Sequence, residues 1–240
     1  MKVHIIITSI SELMNINNLK DEISLQPHEV KVIVIDEADK AMRKTNKSLL
    51  SGLQYEFYGP LERRIWFKTR FRSHEKYLQV IPERCHAENS FGFLVSFEEM
   101  PDVIIELDDD VYPVNGYNVI HSHIDNLLIS SGITVHSESN WYNTVENLTI
   151  GGDTQLYPRG HPYSPDARLS SYFWKNEDRK CVLNMGLWSG HLDLDALTIL
   201  YHGGLDGRYG NINNVDLKRS KVVVGAGTYF AVCSMNTAFV

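Results

Sequence analysis

Two short runs of branched aliphatic residues, "VHIIITS" at 3–9 and "VKVIVID" at 30–36, dominate the start of the chain. Runs so continuously apolar suit strands covered on both faces. Between them Leu13, Ile16, Leu19 and Ile23 recur at helical spacing, so residues 3–36 predict a β-α-β unit. "CHAENSFGFLVSFEEMP" at 85–101 predicts another helix, closed by Pro101 and feeding directly into the strand "DVIIEL". Asp108, Asp109 and Asp110 follow, which sets three adjacent carboxylates at the C-terminal end of a parallel strand. Asp36 stands at the same end of the second strand. Open α/β sheets bind ligands in the crevice beyond the carboxyl ends of their strands, and these acids mark that place.

Further along, "VIHSHIDNLLISSG" predicts a helix, and residues 136–166, rich in Asn, Gly, Pro and Tyr, predict a lid built from loops. "KVVVGAGTYFAVCSMNTAFV" reads as a strand, a glycine turn and another apolar segment. No repeat, low-complexity tract or linker interrupts the chain, so a single domain over 1–240 is expected.

With 240 residues, 43% of them hydrophobic, the chain can bury a substantial core. Its net charge of -7, with basic residues scattered outside "ERRIWFKTRFR", argues against nucleic acid as a partner. The apolar run near the start is too short for a signal core, and no eighteen apolar residues follow one another. A soluble, cytoplasmic protein without a membrane span is expected. Cys85, Cys181 and Cys233 are odd in number and far apart, which fits a reducing compartment and suggests neither disulfides nor structural zinc.

Adjacent carboxylates at a strand end suit a hard divalent cation, and magnesium binds one or two of them together with phosphate oxygens and water. The competing reading is a solvated turn or a helix cap. An EF-hand is excluded, because "DDDVYPVNG" lacks alternating ligands and the sixth-position glycine. "VVVGAGTYFA" imitates a dinucleotide-binding turn, but Phe230 occupies the third glycine position. "GLWSG" is no nucleophile elbow. His121 and His123 fall on different faces of a helix, and the Trp and Tyr of "NWYNTVENL" and "SSYFWK" read as packing.

Taken in order, "IIELDDDVYP", "NWYNTVENL", "YPRGHPYS", "VLNMGLW", "LDLDALT" and "GTYFAVCSMNTAF" resemble the reversibly glycosylated polypeptide family, which includes the UDP-arabinopyranose mutases. The blocks span residues 80–239, while residues 1–79 agree only in pattern. The resemblance implies an α/β, GT-A-like, Rossmann-type nucleotide-sugar-binding fold with a mostly parallel central sheet flanked by helices. It also implies a nucleotide-binding half over 1–115 and a sugar and acceptor half over 116–240, incomplete at its C-terminal end because the family continues with an acidic, tryptophan-containing segment. Asp108, Asp109 and Asp110 match the acidic triplet that holds manganese or magnesium against a UDP diphosphate. Thr8, Asp36, Asp108 and Asp193 are the implied nucleotide-sugar contacts.

Arg159 matches the arginine that is glycosylated in plant members, and a guanidinium there also suits a diphosphate clamp. Asp195 is the matching candidate for acid-base work, with a solvated loop as the competing reading. Where the family carries a second arginine seven residues on, this chain has Asp166, and Arg168 takes that role only if the loop shifts by two. The expected activity is UDP-sugar mutase-like or glycosyltransferase-like. The alternative is a catalytically silent member that binds nucleotide-sugar or assembles into homo- or hetero-oligomers. A metal-dependent phosphohydrolase would want further ligands, such as a His-Asp pair, that the sequence does not place.

Overall fold

The computed structural model describes residues 1–85, 87–114, 117–150, 155–188, 190, 192–202 and 215–240. Its elements run β1 (Lys2–Ser9), α1 (Ile16–Leu25), β2 (Glu29–Asp36), α2 (Lys40–Leu49), β3 (Tyr55–Tyr58), α3 (Pro60–Arg70), α4 (His74–Val80), α5 (Glu88–Glu98), β4 (Val103–Asp108) and α6 (Val119–Leu127). They continue with β5 (Ser131–Ser137), β6 (Leu148–Ile150), β7 (Tyr172–Asp178), β8 (Leu183–Met185), α7 (Ala196–Tyr201), β9 (Val215–Leu217), β10 (Val223–Val224) and β11 (Asn236–Phe239). The chain forms two compact units. One comprises residues 1–128, 182–185 and 234–240, and the other residues 129–181 and 186–233.

The first unit is α/β, with a six-stranded sheet in the order β3-β2-β1-β4-β11-β8. β3, β2, β1 and β4 are mutually parallel, and β11 joins antiparallel beside β4. The near-continuous apolar strands are explained by burial on both faces. On one face Val3, Ile5 and Ile7 pack with Leu13, Ile16 and Leu19 around α1 and with Ile120, Ile124 and Leu127 of α6. On the other, Ile6, Ile33 and Ile35 meet Trp66 and Phe67 of α3 and Phe91 and Val95 of α5. Each such side chain contributes about 1.5–3 kcal/mol on burial. Gly92 allows the close approach of α5 to β1, since a Cβ there would stand 2.5 Å from Ile6 Cγ2.

Most of the basic cluster at 62–72 lies in α3, whose arginines are neutralised within the unit. Arg63 is buried against Glu37 and donates to the Ile81 carbonyl at 2.7 Å, while Arg64 and Arg70 pair with Glu83 and Glu98. α6 stops at Leu127, short of the predicted end, and Ser131–Ser137 is a strand that contains Gly132 at a φ of 126°.

In the second unit β10-β5-β7 form one sheet, β6 and β9 pair antiparallel, and Val145, Leu148, Leu156, Leu192 and Leu194 make a small core. The glycine-rich "VVVGAG" run packs against another strand, since a Cβ on Gly225 would meet His136 Cε1 at 2.2 Å. That imidazole is stacked on Phe173 and lies 3.0 Å from Glu177. Residues 151–154 of the expected lid lie outside the described residues.

Candidate functional site

The register of the parallel strands assembles the candidate site. Ser9 pairs with Asp36 across β1 and β2, and Thr8 pairs with Asp108 across β1 and β4, so three strands end at one level. Such alignment sets polar end residues side by side at the carboxyl edge, where the crevice of an open sheet lies. The chain turns after Asp108, leaving Asp108 and Asp109 half-buried and Asp110 exposed.

Asp109 is held by two hydroxyls: Ser9 Oγ donates to its Oδ2 at 2.6 Å and Ser11 Oγ to the same oxygen at 2.8 Å. Donors of this kind offset part of the repulsion among adjacent carboxylates. Asn15 Nδ2 donates to the Asp108 carbonyl at 2.8 Å, and the Asp108 N–H donates to the Met235 carbonyl at 3.1 Å, so both flanks fix the backbone of the turn.

Asp36 is fully buried. Its Oδ1 accepts from the Ala38 N–H at 2.8 Å and its Oδ2 from Asn46 Nδ2 at 2.7 Å. Burial pushes its carboxyl above the usual range, opposed by those two hydrogen bonds and by Arg43, with Asp109 adding to the rise. Asn46, on α2 and also fully buried, donates to the Ser11 carbonyl at 2.8 Å and accepts from the Leu13 N–H at 3.0 Å. One amide thus ties Asp36 to the loop that carries Ser11.

Glu106, two residues before Asp108 and on the same strand face, is only 4% exposed and accepts from Asn89 Nδ2. Burial drives its carboxyl up to about 7, the Asn89 bond opposing and Asp108 adding to the shift. None of Ser9, Ser11, Asn15, Asn46 or Glu106 was expected from the sequence. Ser9 carried a usable signal, since it ends a strand as Asp36 and Asp108 do.

Among the described residues, no three His, Cys, Asp or Glu side chains converge as a group that could hold a metal ion. The strand-end carboxylates fit a cation that takes one or two protein oxygens and draws its remaining ligands from phosphate and water.

The other expected residues belong to the second unit. Arg159 reaches Asp193 Oδ2 through Nε at 3.0 Å and through its terminal nitrogen at 2.9 Å, with its side chain 67% exposed. The Arg159 N–H donates to the Asp193 carbonyl at 2.9 Å, and Cys233 Sγ donates to Asp193 Oδ2 at 3.3 Å. Asp195 is 2% exposed; its Oδ1 caps α7 by accepting from the Thr198 N–H at 2.6 Å, and its Oδ2 pairs with Arg168. Arg168 in turn lies over Tyr157 and Tyr163, at 4.1 and 5.0 Å from the ring centroids. Of the two paired histidine candidates, His121 is exposed beside Asp125, whereas His123 is buried between Asn236 and Asn184.

No protein-family model matches the chain. No curated protein matches it. Among solved structures, a mycobacterial protein overlaps it at 16% identity and a TM-score of 0.35, covering 60% of this chain and 42% of the other. Glucosyl-3-phosphoglycerate synthase from Mycobacterium tuberculosis, in complex with Mn2+, UDP and phosphoglyceric acid, overlaps at 18% identity and 0.35, covering 60% and 43%. Mouse xyloside xylosyltransferase 1 in its apo form does so at 17% identity and 0.29, covering 57% and 53%. The chain therefore spans about half or less of each of these proteins. No helix among the described residues is long and apolar enough to cross a membrane.

Proposed function

We propose that the chain is a metal-dependent nucleotide-sugar enzyme of GT-A-like type that acts on a UDP-sugar, by transfer of the glycosyl group or by mutase-like interconversion of its ring. One observation carries this reading: β1, β2 and β4 end within one residue of the same level, at Ser9, Asp36 and Asp108, and Asp109 is held by the Ser9 and Ser11 hydroxyls. A carboxylate platform at the carboxyl edge of a parallel sheet suits a ligand that brings both phosphate and a cation. The six sequence blocks that resemble the reversibly glycosylated polypeptides point the same way.

In this reading Asp108 and Asp109 would hold manganese or magnesium, with Asp110 beside them. When bound, the ion draws charge from the departing diphosphate. Asp36 and Thr8 contact the nucleoside, and the two serine hydroxyls orient Asp109. Taken by itself, the second unit keeps Arg159 with an exposed guanidinium steadied by Asp193, a group of the kind that binds phosphate.

Asp195 favours a second reading. Both of its oxygens are engaged in a helix cap and an ion pair, and a general base needs an oxygen within reach of a substrate proton. A nucleotide-sugar-binding protein without turnover accommodates that arrangement, and metal-dependent release of UDP separates it from an enzyme.

The test is calorimetric titration of the chain with UDP and UDP-sugars, in manganese and in chelator. Binding is expected only with metal, and Asp109→Asn is expected to weaken it at least about tenfold, or about 1.4 kcal/mol. Equal affinity in chelator, or in the variant, returns the triplet to a solvated turn.

A further inference from the structure

Helix α2 carries Lys40, Arg43, Lys44 and Lys47 and no acid between Lys40 and Leu49. Spacings of three, four and seven residues gather these cations along one side of the helix over two turns. Its inward side is held by the buried Asn46. Ion pairs of the first unit engage Lys2, Lys31, Arg63, Arg64 and Arg70, and among the described residues none reaches the four cations of α2. In a chain of net charge -7 this is a local inversion of sign.

The four line a shallow basin of about 580 Å³ with Phe57 and Glu62. Lys47 Nζ stands 5.9 Å over the Phe57 ring. Glu62, the one acid of the basin, accepts from the Gly59 N–H at 3.1 Å at the start of α3. A second, independent feature lies on α3 itself. Leu61 and Ile65 are 65% and 52% exposed, and Lys68 is exposed one turn further on. The three share the helix face opposite the buried Arg63, Trp66 and Phe67. One exposed leucine is ordinary. A pair of exposed aliphatics with Lys68 on their own face, on the helix whose Glu62 lines the basin of four cations, has the make-up of a surface that rests on anionic lipid.

We propose that the α2–α3 face is a docking surface for an anionic bilayer. Lys40, Arg43, Lys44, Lys47 and Lys68 meet headgroup phosphates and carboxylates, and Leu61 and Ile65 enter the interfacial layer. A soluble polyanion would use the cations and leave the two aliphatic side chains in water, which is why the bilayer is the occupant the face fits.

The experiment is co-sedimentation of the full chain with phosphatidylcholine vesicles, with and without phosphatidylserine, at low and high salt. Binding is expected only with phosphatidylserine and is expected to weaken with salt. At about fivefold in partitioning per cation, Lys44→Gln with Lys47→Gln is expected to lower binding about twenty-fivefold. Leu61→Ser with Ile65→Ser is expected to lower it with the salt dependence unchanged, while Lys175→Gln in the second unit leaves it intact. All the substituted side chains are exposed, and unchanged thermal melting confirms folding. Equal binding to both vesicle types overturns the proposal, as does full binding by the α2 variant. It is equally overturned if vesicles are ignored while the α2 variant loses binding to heparin, which would assign the basin to a soluble polyanion.

Discussion

Replacing Glu106 with Gln should make the protein more stable, and the pH dependence should identify the cause. In the folded chain this carboxyl is held at about 7 by burial, against 4.5 for the group in water. A raised acid pKa means that the fold binds the proton more tightly than the unfolded chain does. The associated stability is therefore fully present below about pH 4.5 and is lost as pH rises to about 7. At about 1.4 kcal/mol per pH decade the loss reaches about 3 kcal/mol, an upper figure. Glutamine keeps the shape and an acceptor for the Asn89 amide while removing the ionisation. Urea unfolding followed by tryptophan fluorescence, at about pH 5 and about pH 8, measures the effect. The variant should match the parent within about 1 kcal/mol at the lower pH and exceed it by about 2–3 kcal/mol at the higher. Parallel curves for the two proteins, or a less stable variant at the higher pH, would show that Glu106 is charged and satisfied in the fold.

Gly225→Ala should destabilise the second unit by about 1–3 kcal/mol, because the added methyl falls on the His136 ring. Most of that loss should vanish in a His136→Ala background, and a double-mutant cycle by thermal denaturation reads the coupling. Asp195→Ala should cost about 3–5 kcal/mol, since it leaves the half-buried Arg168 without its carboxylate and α7 without its cap. Asp193→Asn, whose partner Arg159 is mostly exposed, should cost under about 1 kcal/mol in the same melt. Comparable losses at Asp193 and Asp195 would mean that the two pairs are equivalent supports.

The parallel half of the sheet was legible because its signals are local. Apolar continuity marks β1 and β2, helical spacing marks α1, and Pro101 marks the passage from α5 to β4. The stretch from α2 to α4 gave no such signal: α2 has Asn46 as its only fully buried residue, so no apolar stripe advertises it. β3 is four half-buried residues long. α6 ends sooner than the apolar spacing predicts: Leu128 and Ile129 continue that spacing, whereas Gly132 adopts a backbone conformation that no helix contains.

At the candidate site, Asp36, Asp108 and Asp109 were readable as acids ending apolar runs. Ser11, Asn15 and Asn46 were not, because their roles arise only when three strands are set in register and a helix on a later segment turns an amide inward. Asp193 and Asp195 read alike in "LDLDALT", and only the fold separates a carboxylate paired with an exposed arginine from one that caps a helix.

The placement of β11 has a consequence for how the molecule is built in time. Residues 236–239 pair with residues 104–107 on one side and with residues 183–185 on the other. Until that strand arrives, β4 is an open edge whose outward N–H and C=O groups can pair with any passing chain. The β1-α1-β2 unit closes through short connections, whereas the strand that presents Asp108 must wait for residues 236–239 to complete its second edge. Contacts so distant along the chain form slowly. The carboxylate platform would then be among the last parts of the first unit to mature, and nascent chains held short of β11 would be the species most dependent on chaperones.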